Sequence, residues 1–187
     1  VGLAGGNALI NRAIRRAQRR LRADDVPSDW SHVFLFTERR VDGHLWALES
    51  DLDLAKKQIR LGVQENRIDK YHDPAEYPNL GVVDFGLSAE QAKAVQTEGL
   101  NLLARLTRYS LRELVGTFLA LQSTRLRARE NVLAREGSLY CSAMVQHCYA
   151  AAGVRLRAAV DTKNTTPEDV ASSPAARTLF RLRREAS

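Results

Sequence analysis

The hydrophobic pattern of this chain changes period near Ser88, and that change limits the folds open to it. Before Ser88, SHVFLFTE and HLWALES are short runs rich in β-branched and aromatic residues, joined by RRVDG, and they read as two strands. IRLGV from Ile59 and GVVDF from Gly81 read as two more. From Ser88 onward the signals are helical. Ser88-Ala89-Glu90-Gln91 is a capping box opening a helix to about Arg108, and Ser110-Leu111-Arg112-Glu113 is a second one opening another. SLYCSAMVQHCYAAAG then carries a helix whose stripe is Cys141, Met144, Val145, Cys148 and Ala152, with Gly153 as its stop. Thr166-Pro167-Glu168-Asp169 combines a cap, a proline at the first helical position and early acids. Ahead of the strands, residues 7–22 put Ile10, Ala13, Ile14, Ala17 and Leu21 on one stripe with arginines opposite. Helix, strands, then helices, with no internal repeat, predicts an α+β fold in a single domain over 1–187.

The remaining segments read as connections. DDVPSDW is a loop, STRLRARENVLAREG a basic connector, and the polar, proline-marked ENRIDKYHDPAEYPNL an exposed loop. At 187 residues and 44% hydrophobic, the chain can build a real core. No apolar run approaches the ~20 residues of a membrane span, and no signal-peptide pattern is visible. The chain opens on Val1 rather than Met, which fits a removed upstream segment and leaves the compartment open between cytoplasmic and exported.

Net charge is +6, and the excess is arginine gathered at both ends. NRAIRRAQRRLR carries six arginines and RTLFRLRRE four, so the ends are either solvated helix faces or patches that attract anionic polymer or lipid. Aromatics are 6% of the chain and none interleaves with the first arginine run, so stacking on bases has no support and no specific nucleic-acid partner is expected.

The chemistry centres on cysteine. Cys141 and Cys148 stand seven residues apart on one predicted helix, about 10.5 Å of rise, which excludes a disulfide between them. No C-x-x-C or Cys/His cluster suggests zinc, and no metal or organic cofactor is expected. Cys141 falls at the helix start, where unpaired N–H groups and the dipole favour a thiolate, whereas Cys148 lies deeper on the stripe and reads as core. A cysteine nucleophile needs a base, and usually a third group that orients it. Of the four histidines, His147 lies on another face of the same helix and His72 in the polar loop. His32 and His44 open strands, where a rigid scaffold can hold an imidazole against a helix end.

Strand parity separates those two. His32, Phe34 and Phe36 share one face of their strand; Leu45, Ala47 and Glu49 share a face of the next. A carboxylate on such an apolar face is costly unless paired, and Glu49 directly across from His32 would supply the pair. That register demands a loop near 38–43. A tight turn at Asp42-Gly43 instead puts Asp53 opposite His32 and Phe36 opposite Glu49, with Asp51 or Asp53 as the substitute orienter.

SHVFLF followed by ALES, then SLYCSAMVQHCYAAAGV, then TTPEDVASSP, resembles the circularly permuted papain-like amidases, the NlpC-related, YiiX-type branch in which the histidine strand precedes the cysteine helix. GNALINRAIRRA is similar to that family's opening, while 55–135 carries little of the likeness. The resemblance implies a permuted papain-like fold, a small antiparallel sheet or half-barrel packed on the cysteine helix. It also implies Cys141 as nucleophile, His32 as base and Glu49 as orienter. Where the family often carries a carboxylate or amide after Cys-Ser, this chain has Ala143.

The expected function is a cysteine amidase or peptidase working through an acyl-enzyme. The alternatives are an acyltransferase or lipid hydrolase on the same triad, or a non-catalytic module binding anionic polymer. The partner is an amide- or acyl-containing substrate, cell-wall peptide or lipid-linked. Tyr140 is a candidate oxyanion donor beside the Cys141 N–H, with packing the equal alternative. Trp46, like Trp30, is a candidate groove lining, with packing the plainer reading.

Overall fold

The computed structural model of this protein describes residues 1–53, 60–108, 111–131, 133, 138–182 and 184. Ser110 and Ile59 lie outside them, so the second capping box and the first residue of IRLGV are not placed. The fold is α+β, built on one open antiparallel sheet of six strands. The strands are β1 (Gly2–Gly5), β2 (His32–Arg39), β3 (Leu45–Asp53), β4 (Arg60–Arg67), β5 (Asn79–Asp84) and β6 (Thr178–Leu182), in the spatial order β4-β3-β2-β1-β5-β6. The helices are α1 (Leu9–Ala17), α2 (Ala89–Ala104), α3 (Leu111–Ala120), α4 (Thr124–Arg127), α5 (Cys141–Ala151) and α6 (Pro167–Ala171). Among the described residues no helix is long and apolar enough to cross a membrane.

Two of the strands carry no pattern visible in the sequence. GLAG is too short and too glycine-rich to read as β, yet it forms β1, paired to β2 on one side and β5 on the other. Its glycines serve close approach: a Cβ on Gly5 would stand 1.8 Å from the Asp29 carbonyl oxygen. The arginine-rich C-terminal end, read as a solvated helix face, is instead edge strand β6. Its charges are engaged: Arg181 pairs with Asp29 and lies 5.3 Å over the Trp30 ring, and Arg184 donates to the carbonyls of Tyr71, His72 and Tyr77.

The sheet buries both faces. Leu3, Val33, Leu35, Leu48 and Val83 form the main core with α2 and with the Met144, Val145, Cys148 stripe of α5. Ala4, Phe34 and Ala47 point the other way and are covered by Tyr71, with Ile68 and Tyr77 beside it. The segment expected to be an exposed loop therefore extends β4 through Arg67, makes a 3-10 turn at Ile68–Tyr71 and closes the second face. Tyr71 stacks on Phe34 at 4.8 Å between ring centroids. A polar composition hid it, because only a few of its residues face inward.

The helix boundaries follow local chemistry. Ser88 caps α2 with the expected box to Gln91, and Thr166 caps α6 with its box to Asp169. α5 stops before Gly153, whose φ of +74° suits the left-handed cap. α1 departs from its stripe: Ile14 and Gln18 are buried, but Ile10 is 45% exposed and Ala13 also faces solvent.

Candidate active site

The β2–β3 hairpin decides which residues meet His32. Arg40, Val41, Asp42 and Gly43 turn the chain, with Gly43 at φ +77° and Arg40 N–H donating to His44 O. β2 then takes up one extra residue between Phe36 and Arg39, a bulge that shifts the pairing from Arg39↔Leu45 to Phe36↔Ala47 and Leu35↔Leu48. Continued along β2, this register sets Asp51 across from His32 and Glu49 across from Phe34. Neither expected register holds. A three-residue hairpin loop plus a bulge lands between them, and parity is kept, so Glu49 reaches His32 along the diagonal.

That diagonal contact is close. His32 Nε2 lies 2.7 Å from Glu49 Oε2, which also accepts from the Tyr71 hydroxyl. Glu49 Oε1 accepts from Asn66 Nδ2 and Lys70 Nζ, each at 2.7 Å, and Lys70 reaches Asp51 at 2.7 Å as well. Glu49 has no solvent exposure and four donors, so its charge is stabilised by hydrogen bonds and a cation rather than by water. Burial alone would raise its pKa. The hydrogen bond and charge of His32, with Lys70, hold it well below the usual carboxylate range. Tyr71 is pushed the other way, well above the usual phenol value, by burial and the charges of Glu49 and Asp51.

Cys141 begins α5, 5% exposed, and lines the same cleft as His32, near enough for its charge to act on that ring. With Nε2 committed to Glu49, Nδ1 is the ring nitrogen left for the sulfur. Burial works against charge on His32, yet the charges of Cys141 and Asp51 and the bond to Glu49 hold its pKa well above the ordinary imidazole value. Two sets of bonds place the sulfur. Ser50, next to Glu49 on β3, donates to Leu139 O ahead of the helix. The Thr165 carbonyl accepts from the Tyr140 hydroxyl and from Ser142 Oγ, both at 2.7 Å, gripping the residues on either side of Cys141.

Tyr140 is buried to 1% exposure and its hydroxyl also meets Thr117 Oγ1 and Lys163 O, so that hydroxyl is committed to packing polar groups. No side chain caps α5, which leaves its first-turn N–H groups, that of Cys141 included, as the donors beside the sulfur. Trp46 lines the cleft and carries Arg40 4.2 Å and Arg67 5.6 Å from its ring centre, whereas Trp30 is core. The other histidines stand apart: His44 pairs with Asp69 at 2.8 Å and His147 with Glu98 at 3.0 Å. Burial pushes the Cys148 thiol up to about 12.

The cleft over Cys141 and His32 encloses about 1170 Å³. Its lining combines polar side chains, Asn66, Arg67, Asp69 and Lys70, with apolar ones from two helices, Ile10 and Ile14 of α1 and Leu114 and Phe118 of α3. Asn66, Lys70 and Tyr71 were invisible as site residues, since their roles depend on a segment read as loop. The one available signal was the apolar spacing of Ile68, Tyr71 and Tyr77.

His32, Glu49 and Asp51 also offer ligand atoms within 4.8 Å of one another, the geometry of a small cation site. The Lys70 ammonium already occupies it, bonded to both carboxylates, and both Glu49 oxygens are taken. A divalent ion there would sit against a fixed positive charge, so these residues do not fit a metal.

No protein-family model matches the chain, and no curated protein matches it in sequence. Among solved structures the chain is similar to the metalloprotein yiiX from Escherichia coli O157:H7, a DUF1105 protein. The TM-score is 0.57, with 17% identity over 98% of this chain and 94% of that one. The likeness is one of fold.

Proposed function

We propose that this protein is a cysteine hydrolase of the permuted papain-like, NlpC-related kind, cleaving an amide bond through Cys141, His32 and Glu49. One observation carries the reading: a cysteine at an uncapped helix N-terminus shares a cleft with a histidine whose Nε2 lies 2.7 Å from a buried, fully hydrogen-bonded glutamate. The Cys141 thiolate attacks the carbonyl carbon, and the new oxyanion is met by the Cys141 N–H at the positive end of α5. As the tetrahedral species collapses, the C–N bond breaks and the His32 imidazolium gives its proton to the leaving amine. Neutral His32 then takes a proton from water. The resulting hydroxide attacks the thioester, and the thiolate leaves. Glu49 holds the ring tautomer throughout, and Lys70, Tyr71 and Asn66 hold Glu49.

The metal named for the yiiX structure has no counterpart in this scheme, because Lys70 supplies the cation that the Glu49–Asp51 pair needs. A second reading, acyltransferase or lipid hydrolase on the same triad, is favoured by the apolar lining that α1 and α3 contribute to the cleft. Both pass through the same thioester. The test is to treat the reduced protein with a small activated ester and map the acyl adduct by mass spectrometry. An adduct on Cys141, absent in His32→Ala, is expected. An adduct on Cys148 alone, or none, overturns the proposal. Comparing release from a short peptide amide and from a long-chain acyl ester then separates the two readings.

A further inference from the structure

The arginines of α1 remain outside the mechanism. Between Leu9 and Arg22 the chain carries six arginines and no acid. Arg15 donates to Ser28 O, while Arg19 and Arg22 pair with Asp25 and Asp24. Arg12, Arg16 and Arg20 are exposed, and no carboxylate among the described residues pairs with them. They do not stand on a plain solvated face. Leu9 is 84% exposed and Ile10 45% on the same helix, and Val115 and Leu119 of α3 are each 51% exposed. α1 and α3 both line the cleft, through Ile10 and Ile14 and through Leu114 and Phe118. Arg20 bonds Gln122 just past α3, so the two exposed strips flank one cleft mouth.

We propose that this arginine and leucine rim docks on the surface of an anionic lipid bilayer, with the Cys141 cleft facing the headgroups. Phosphates at the headgroup level satisfy guanidinium groups that no carboxylate among the described residues neutralises, and the aliphatic side chains between them gain by entering the acyl boundary. A nucleic acid would reward the charges but leave Leu9, Val115 and Leu119 in water, and no aromatic on this rim offers a base to stack on. The docking stands on this rim alone; its use, presenting an acylated or amide-linked membrane substrate to Cys141, rests on the function proposed above.

The test is co-sedimentation of Cys141→Ala protein with phosphatidylcholine vesicles, with and without one-third phosphatidylglycerol. Strong partition onto the anionic vesicles is expected. Replacing Arg12, Arg16 and Arg20 together with Gln should weaken it about a hundredfold, roughly fivefold per charge. Leu9→Ser with Leu119→Ser should also weaken it, and the wild-type affinity should fall with salt. Equal binding to neutral and anionic vesicles overturns the proposal. So does a leucine variant that binds as the parent while duplex DNA displaces both, which would mark a polymer-binding surface. Should the triple variant misfold, the single Arg16→Glu, a change of two charges, should weaken anionic-vesicle binding roughly 25-fold. Adduct formation on Cys141 by a soluble ester is measured separately. Loss of docking with a reactive Cys141 refutes this inference alone, and docking with an inert Cys141 refutes the catalytic reading alone.

Discussion

Glu49 keeps its charge while fully buried because each oxygen has two donors. Glu49→Gln keeps the shape but removes the buried charge that His32 and Lys70 share, leaving Asp51 as their remaining counter-charge. A stability loss of about 3–5 kcal/mol is expected in chemical denaturation, the range for breaking a buried pair, together with loss of adduct formation. At Cys141 and Cys148 the contrast is environment: the first stands at a helix start in the cleft that His32 lines, and the second is pushed up to about 12 by burial. Iodoacetamide at pH 7 should label Cys141 far faster; equal rates in the folded protein would remove Cys141 as the nucleophile. The pair His32–Glu49 also sets a pH window. Glu49 is depressed in the fold, so its stabilisation is present above the ordinary glutamate value and lost as pH falls through its folded value. His32 is raised, so its stabilisation is present below the ordinary imidazole value and lost as pH rises through its folded value. Thermal melts across pH should show both limbs in the parent, and His32→Gln should flatten the alkaline one.

At the scale of elements, the 3-10 turn Ile68–Tyr71 joins sheet packing to the site. Its Tyr71 ring covers Phe34, and its hydroxyl serves Glu49. Two substitutions divide those roles. Tyr71→Ala empties a buried position and should cost about 3–5 kcal/mol of stability. Tyr71→Phe keeps the ring and removes one donor from a buried carboxylate, costing about 1–3 kcal/mol and shifting the pH dependence of Cys141 labelling. A Phe variant with an unchanged pH profile would reduce Tyr71 to a packing residue. Helix α6 acts on the opposite side of the site. Its cap Thr166 follows the carbonyl of Thr165 that grips Tyr140 and Ser142. Thr166→Ala should cost about 0.5–2 kcal/mol in denaturation.

For the whole molecule, the decisive element is a short strand that joins the two halves of the sheet. β1 sits between β2, which holds His32, and β5, which carries β6. Leu3, fully buried, anchors it to the main core. Leu3→Ala should destabilise the protein by about 2–5 kcal/mol, whereas Phe180→Ser on edge strand β6, where Phe180 is 55% exposed, should stay within about 0.5 kcal/mol. Urea melts of the two variants decide this; equal costs would mean that β1 is not the joint.

The α+β class, the Ser88 and Thr166 capping boxes, the stop at Gly153 and the core stripe of the cysteine helix were legible because each depends on residues a few positions apart. Parity, too, is local: it placed His32 and Glu49 on one side of a hairpin before their distance was known. Register is not local. A bulge between Phe36 and Arg39 and a three-residue turn moved Asp51, rather than Glu49 or Asp53, across from His32, and nothing in the local pattern marks the extra residue. β1 and β6 are strands because partners accept their backbone groups, not because GLAG or TLFRL alternates strongly. Lys70, Tyr71 and Asn66 joined the site for a similar reason. A buried carboxylate must find donors somewhere, and which segment brings them is decided by how the chain folds back over the sheet.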